Sequence, residues 1–200
     1  MKTHSLLLKS ALAVAMATPF LASAESQLIV GGAGSAAARL DFRVIVPRVL
    51  FLGVGTGAAG LANNTTIDTV TFDYTSNPAD VGGGAGAPAG TITGNVVPVR
   101  VVGNNGQVVL TAATTGALTN ATADTIPWTQ ITATSSLAAL PSPAIPLTGT
   151  GAGSNVTLSS GTKITDRSAN WTFSYANAAV VAPGTYGTTN GRVTYTASMP

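Results

Sequence analysis

The chain is 200 residues long, only 8% of them charged, with one histidine and no cysteine. That composition excludes zinc sites of the usual His/Cys kind and any disulfide framework. With 9 basic residues against 7 acidic ones and no lysine or arginine cluster, a nucleic-acid partner is not expected either.

Residues 1–24 read as a secretory signal peptide. Lys2 and Lys9 flank its start, an apolar stretch runs from Leu6 to Leu21, and Ala22-Ser23-Ala24 fits the small-residue cleavage rule. The apolar run is too short and too alanine-rich for a membrane span, so a mature chain without a transmembrane segment is expected. Cleavage there removes His4, Lys2 and Lys9, which balances the charges and leaves Glu25 as the single glutamate. A serine nucleophile would then lack a histidine base. Disordered chains combine low hydrophobicity with high charge, and this chain has neither, so it is expected to fold.

Residues 25–38 form an Ala/Gly-rich lead. In Arg39-Leu40-Asp41-Phe42-Arg43-Val44-Ile45-Val46, the residues Leu40, Phe42, Val44 and Val46 recur at strict period two, which predicts a strand with one buried face. Pro47 interrupts it, and the continuous apolar run Val49–Leu52 predicts a more deeply buried strand. Gly-rich stretches at 53–60 and 82–90 read as loops flanking a strand through Val70, Phe72 and Tyr74.

Val97, Val99 and Val101 make the next strand. Gly103-Asn104-Asn105-Gly106 is a turn signal leading into Gln107–Ala112, and together these predict a hairpin. The segment 126–131 reads as an edge strand, because Pro127 cannot donate to a central ladder. After a proline-rich crossing at 141–146 and a Gly/Ser-rich stretch at 149–161, the residues Trp171, Phe173 and Tyr175 alternate with polar ones. Val193, Tyr195 and Ala197 do the same near the end. No helical period is sustained after residue 24, and short strands punctuated by Gly, Pro and Asn turns predict an all-β antiparallel sandwich, one domain over residues 39–200.

Several motifs invite chemistry. Gly55-Thr56-Gly57-Ala58-Ala59-Gly60 follows a strand and fits G-x-G-x-x-G, but the dinucleotide site needs a helix N-terminus facing the pyrophosphate, and Leu61–Thr66 is a poor helix start. A flexible glycine loop is the better reading. The aspartates are scattered without a calcium-loop pattern. No carboxylate pair is proposed by their spacing, so no enzymatic activity, metal or cofactor is expected. Asn63, Asn64, Asn120, Asn155 and Asn170 each open an N-x-[ST] sequon, which matters only in a eukaryotic secretory pathway. Among the aromatics, alternating Trp171, Phe173 and Tyr175 read as a core wall, whereas Trp128, beside Pro127, is the candidate for an exposed ligand-binding ring.

The segment Leu40-x-Phe42-x-Val44-x-Val46-Pro47 with the apolar strand after it resembles the start of cysteine-free bacterial fimbrial subunits of the chaperone–usher kind. The ending Ala182-Pro183-Gly184-Thr185-Tyr186-Gly187, then Gly191–Thr196, is similar to their closing turn and final strand. The resemblance implies an immunoglobulin-like sandwich lacking one strand, which the N-terminal extension of a neighbouring subunit supplies. It implies that Leu40, Phe42, Val44 and Val46 are the inserted side chains. It further implies self-association into a surface fibre (fimbrium or pilus), with a periplasmic chaperone in transit. The alternative is a secreted, non-catalytic binding module for a glycan or cell-surface ligand, reading it through Trp128. An outer-membrane barrel fits less well, since the strands are short and no terminal aromatic is present.

Overall fold

The computed structural model describes residues 25–200. The signal peptide expected at 1–24 lies outside them. The chain divides between Val46 and Pro47, and Pro47–Pro200 is one compact unit. The unit therefore begins at Pro47, not at Arg39.

Within 25–46 no strand forms, and Leu40, Phe42, Val44 and Val46 are 74%, 86%, 84% and 72% exposed. The buried strand face expected there is absent, because a period-two pattern becomes a strand only when a partner supplies the ladder. The lead segment instead folds back on itself. Gly31 and Gly32, with φ of 78° and 84°, turn the chain. The Ala37 amide donates to Gln27 Oε1 at 3.1 Å, and Arg39 grips the Glu25 carboxylate through Nε and Nη2 at 2.9 and 3.0 Å. So exposed an ion pair contributes only about 0–1 kcal/mol.

The compact unit is all-β and antiparallel. Its strands are β1 (Leu50–Val54), β2 (Thr71–Asp73), β3 (Thr91–Thr93), β4 (Val96–Gly103), β5 (Val109–Thr114) and β6 (Leu118–Thr119). After them come β7 (Thr125–Ile126), β8 (Ile131–Ser135), β9 (Gly149–Thr150), β10 (Ser154–Asn155), β11 (Thr165–Tyr175) and β12 (Thr194–Ser198). One four-stranded sheet runs β1-β4-β11-β8; the other runs β10-β5-β12, with β9 also on β5. β2–β3 and β6–β7 make two small two-stranded antiparallel sheets.

The core lies between the two larger sheets. Val97, Val99 and Val101 of β4 and Trp171 and Phe173 of β11 point inward from the first, and Leu110 from the second, with Val108, Leu140 and Val156 from the connections. Each such side chain contributes about 1.5–3 kcal/mol by leaving water. Trp171 is fully buried and donates its indole N–H to the Leu140 carbonyl at 3.2 Å, which satisfies its one polar atom. The core wall read from alternation is thus present in Trp171 and Phe173, while Tyr175 is half-buried.

Three expectations fail for one reason each. β4 and β5 are not a hairpin: they belong to different sheets. Both carry inward apolar residues, so residues 104–108 take the chain across the sandwich and set those faces against each other. The run at 49–52 is not deeply buried, because β1 is an edge strand, bonded only to β4. The segment 126–131 is no continuous strand. Pro127 interrupts it, and a 3-10 turn over Trp128–Gln130 separates β7 from β8.

The turn at 103–106 also ties down both ends of the Pro47–Pro200 unit. Asn104 accepts the Val49 amide on Oδ1 at 2.8 Å and donates Nδ2 to the Pro47 carbonyl at 2.8 Å. Its neighbour Asn105 donates to the Pro200 carbonyl at 2.6 Å, and Arg48 donates to the Met199 carbonyl at 2.9 Å. Residues 47–49 and 199–200 are therefore held at the same end of the sandwich.

Candidate functional site

Trp128 is 4% exposed, and its indole N–H donates to the Gly116 carbonyl at 2.6 Å. The exposure expected from its place beside Pro127 is wrong. The proline ends the short strand β7, and the 3-10 turn after it swings the ring inward. Trp128 has no free face to offer a ligand.

The G-x-G-x-x-G segment is a 3-10 turn, Gly55–Ala59, with no helix after it. Its Thr56 donors are already in use: the amide and hydroxyl donate to the Asp68 carboxylate at 2.6 and 3.0 Å. Gly55 has φ of 82°, and a Cβ there would run into that carboxylate. The anion this loop holds is its own aspartate. Asp73 and Asp124 are likewise occupied: hydrogen bonds from Thr75 hold the Asp73 carboxyl below the usual range, and those from Thr122, then Asn120, do the same for Asp124. Among the described residues no group of three His, Asp or Glu side chains is placed to hold a metal.

The sequons differ in access. Asn120 is 4% exposed, its Oδ1 accepting from the Thr122 amide, the Thr122 hydroxyl and the Asp124 amide. Asn63, Asn64, Asn155 and Asn170 are exposed.

One open cleft, about 490 Å³ in volume, lies where the Gly55–Ala59 turn approaches β4 and β11. Register explains its polar lining. Arg100 of β4 stands opposite Ser168 of β11, and Pro98 opposite Asn170, so all four point away from the core on alternate rungs, with the Val99–Ala169 rung between them. Pro98 lies past the end of β1, which pairs only as far as Val99, and its missing N–H costs no ladder bond there. Ser136 follows β8 and extends the ladder: its amide donates to the Asn170 carbonyl and its Oγ accepts the Asn170 amide, both at 2.9 Å. Opposite these stand Thr56, Ala58 and Ala59.

The cleft's single cation is shared. Arg100 donates from Nε and Nη2 to Asp166 at 3.3 and 3.4 Å, leaving Nη1 outside the pair. The partners are 29% and 54% exposed, and the contribution to stability is at most about 1 kcal/mol. Arg100 was not legible as a site residue, and Asn170 stood out only as the start of a sequon. Only the β4–β11 register brings them together, and a sequence does not state register.

No family model matches the chain, and no characterised protein or solved structure is detectably similar to it. Among the described residues no helix is long and apolar enough to cross a membrane.

Proposed function

We propose that this chain is a structural subunit of an extracellular bacterial fibre, assembled by strand addition, in which residues 39–46 of one copy complete the sandwich of the next. The observation that carries this reading is the exposure of an alternating apolar segment: Leu40, Phe42, Val44 and Val46 lie in water, outside any strand. A stripe of large apolar side chains held in water is costly, and a partner that buries it gains about 25 cal/mol for each Å² covered.

The body of the sandwich supports the same reading. β12 pairs only with β5, so its other backbone edge is open. Its inward side chains Tyr195 and Ala197, with Met199 beyond, are only partly buried against the core, as are Leu52 and Val54 of β1, an edge strand of the other sheet. On this reading the sandwich is immunoglobulin-like and short of one strand. A second copy supplies it through 39–46, with main-chain bonds for affinity and alternate side chains for register. The chain is then exported through the periplasm, where a chaperone covers the open edge, and works at the cell surface without catalysis.

Light scattering and unheated SDS gels on the full chain test the proposal. High-mass, SDS-resistant species are expected, and Phe42→Asp or Val44→Asp should abolish them while leaving the melting transition of the monomer in place. A wild-type chain that stays monomeric at all concentrations, or polymers indifferent to both substitutions, would overturn it.

A further inference from the structure

We infer that the cleft between the Gly55–Ala59 turn and the outer face of β4 and β11 binds a neutral saccharide of one or two rings. This does not rest on strand addition: the cleft belongs wholly to the Pro47–Pro200 unit and serves a fibre subunit or a monomer alike.

Size comes first. A cleft of about 490 Å³ falls within the range that holds small ligands, and it opens to solvent, as the end of a longer glycan requires. Its polar groups come next. Adjacent sugar hydroxyls each donate and accept, so they are matched by side chains that present a donor and an acceptor together. The Asn170 amide does this, and among the described residues its side chain has no hydrogen bond. The Ser168 and Ser136 hydroxyls stand close by; Ser136 already accepts one bond and keeps its proton to donate. Arg100 adds the free Nη1 donor.

Charge selects against other ligands. Asp166 neutralises Arg100, and no second cation lines the cleft, so a phosphate or carboxylate finds no unbalanced positive charge. The Thr56 backbone donor that would otherwise cradle an anion is bound to Asp68. The apolar part of the lining, Pro98 and the two alanines Ala58 and Ala59, suits the C–H face of a sugar ring.

The experiment is an amide NMR titration of the full chain with the methyl glycosides of glucose, galactose and mannose, and separately with glucuronate. At least one methyl glycoside should give saturable shifts at Thr56, Arg100, Ser168 and Asn170, with a dissociation constant on the order of 1 mM. Arg100→Met and, independently, Asn170→Ala should each weaken it about tenfold. Asn170 is exposed, so the second variant decides the matter if the first disturbs folding. Absence of saturable shifts with all three glycosides, or an affinity left unchanged by Asn170→Ala, overturns the inference. Glucuronate binding about tenfold tighter than every neutral glycoside overturns the assignment of a neutral ligand.

Discussion

Tyr195 and Trp171 pack ring against ring across the two sheets, their centroids 5.1 Å apart at an interplanar angle of 59°. Trp171 has a partner for its N–H, whereas the Tyr195 hydroxyl is buried with none. One half of this aromatic pair is satisfied and the other carries an uncompensated polar atom. An unmet hydroxyl in such a place costs about 1–3 kcal/mol. Tyr195→Phe keeps the ring and removes the oxygen. It should leave stability unchanged or raise it by about 1 kcal/mol, read as the midpoint of urea unfolding. A loss of more than that would mean that the hydroxyl is bonded after all.

The same burial pushes the Tyr195 pKa up to about 12. The neutral form is then favoured in the folded chain, while the unfolded chain deprotonates near the usual value of about 10. Stability contributed by the neutral ring is complete below that value and is lost as the pH climbs toward 12, by at most about 3 kcal/mol. Urea midpoints measured across that alkaline window should fall steeply in the wild type and less so in Tyr195→Phe. Tyr74, Tyr175 and Tyr186, each also raised by desolvation first, leave the variant a residual slope.

Asn177 should matter more than its setting between two alanines implies. It is 2% exposed, with φ of 49°; its Oδ1 accepts the Gly82 amide at 2.7 Å, and its Nδ2 donates to the carbonyls of Asp80 and Ala87 at 2.7 and 3.1 Å. Asn177→Ala strands those groups and places alanine in the left-handed region, for a loss of about 2–4 kcal/mol. Hydrogen exchange should show faster opening over 78–87 than over β4.

Trp128→Phe should cost about 2 kcal/mol through the lost bond to the Gly116 carbonyl and the space left behind. Saccharide binding at the Arg100 cleft should survive it. Loss of binding with stability intact would return Trp128 to the site from which its burial removes it.

What the sequence made legible was alternation. Val97, Val99 and Val101, and Trp171 with Phe173, are buried as their period implies. Pairing was not legible. A short polar link between two apolar strands reads the same whether it closes a hairpin or crosses a sandwich, and Gly103–Gly106 belongs to the second kind. Arg39–Val46 shows the same limit from the other side: apolar residues recur at every second position from Leu40 to Val46, yet alternation states which side chains share a face and not what meets them. Asn177 and the Arg100–Asp166 pair left no local trace, because their partners lie far away in the chain.

The asparagine turn has a mechanical consequence. With Pro47 tied to Asn104 and Pro200 to Asn105, a pull applied between those two points loads one end of the sandwich. Its bonds then break in succession, like a zipper, starting with Arg48–Met199 and Asn105–Pro200. If the proposed strand addition holds, resistance to tension along a filament would come from the strand one copy lends to the next, pulled lengthwise so that all its rungs share the force at once.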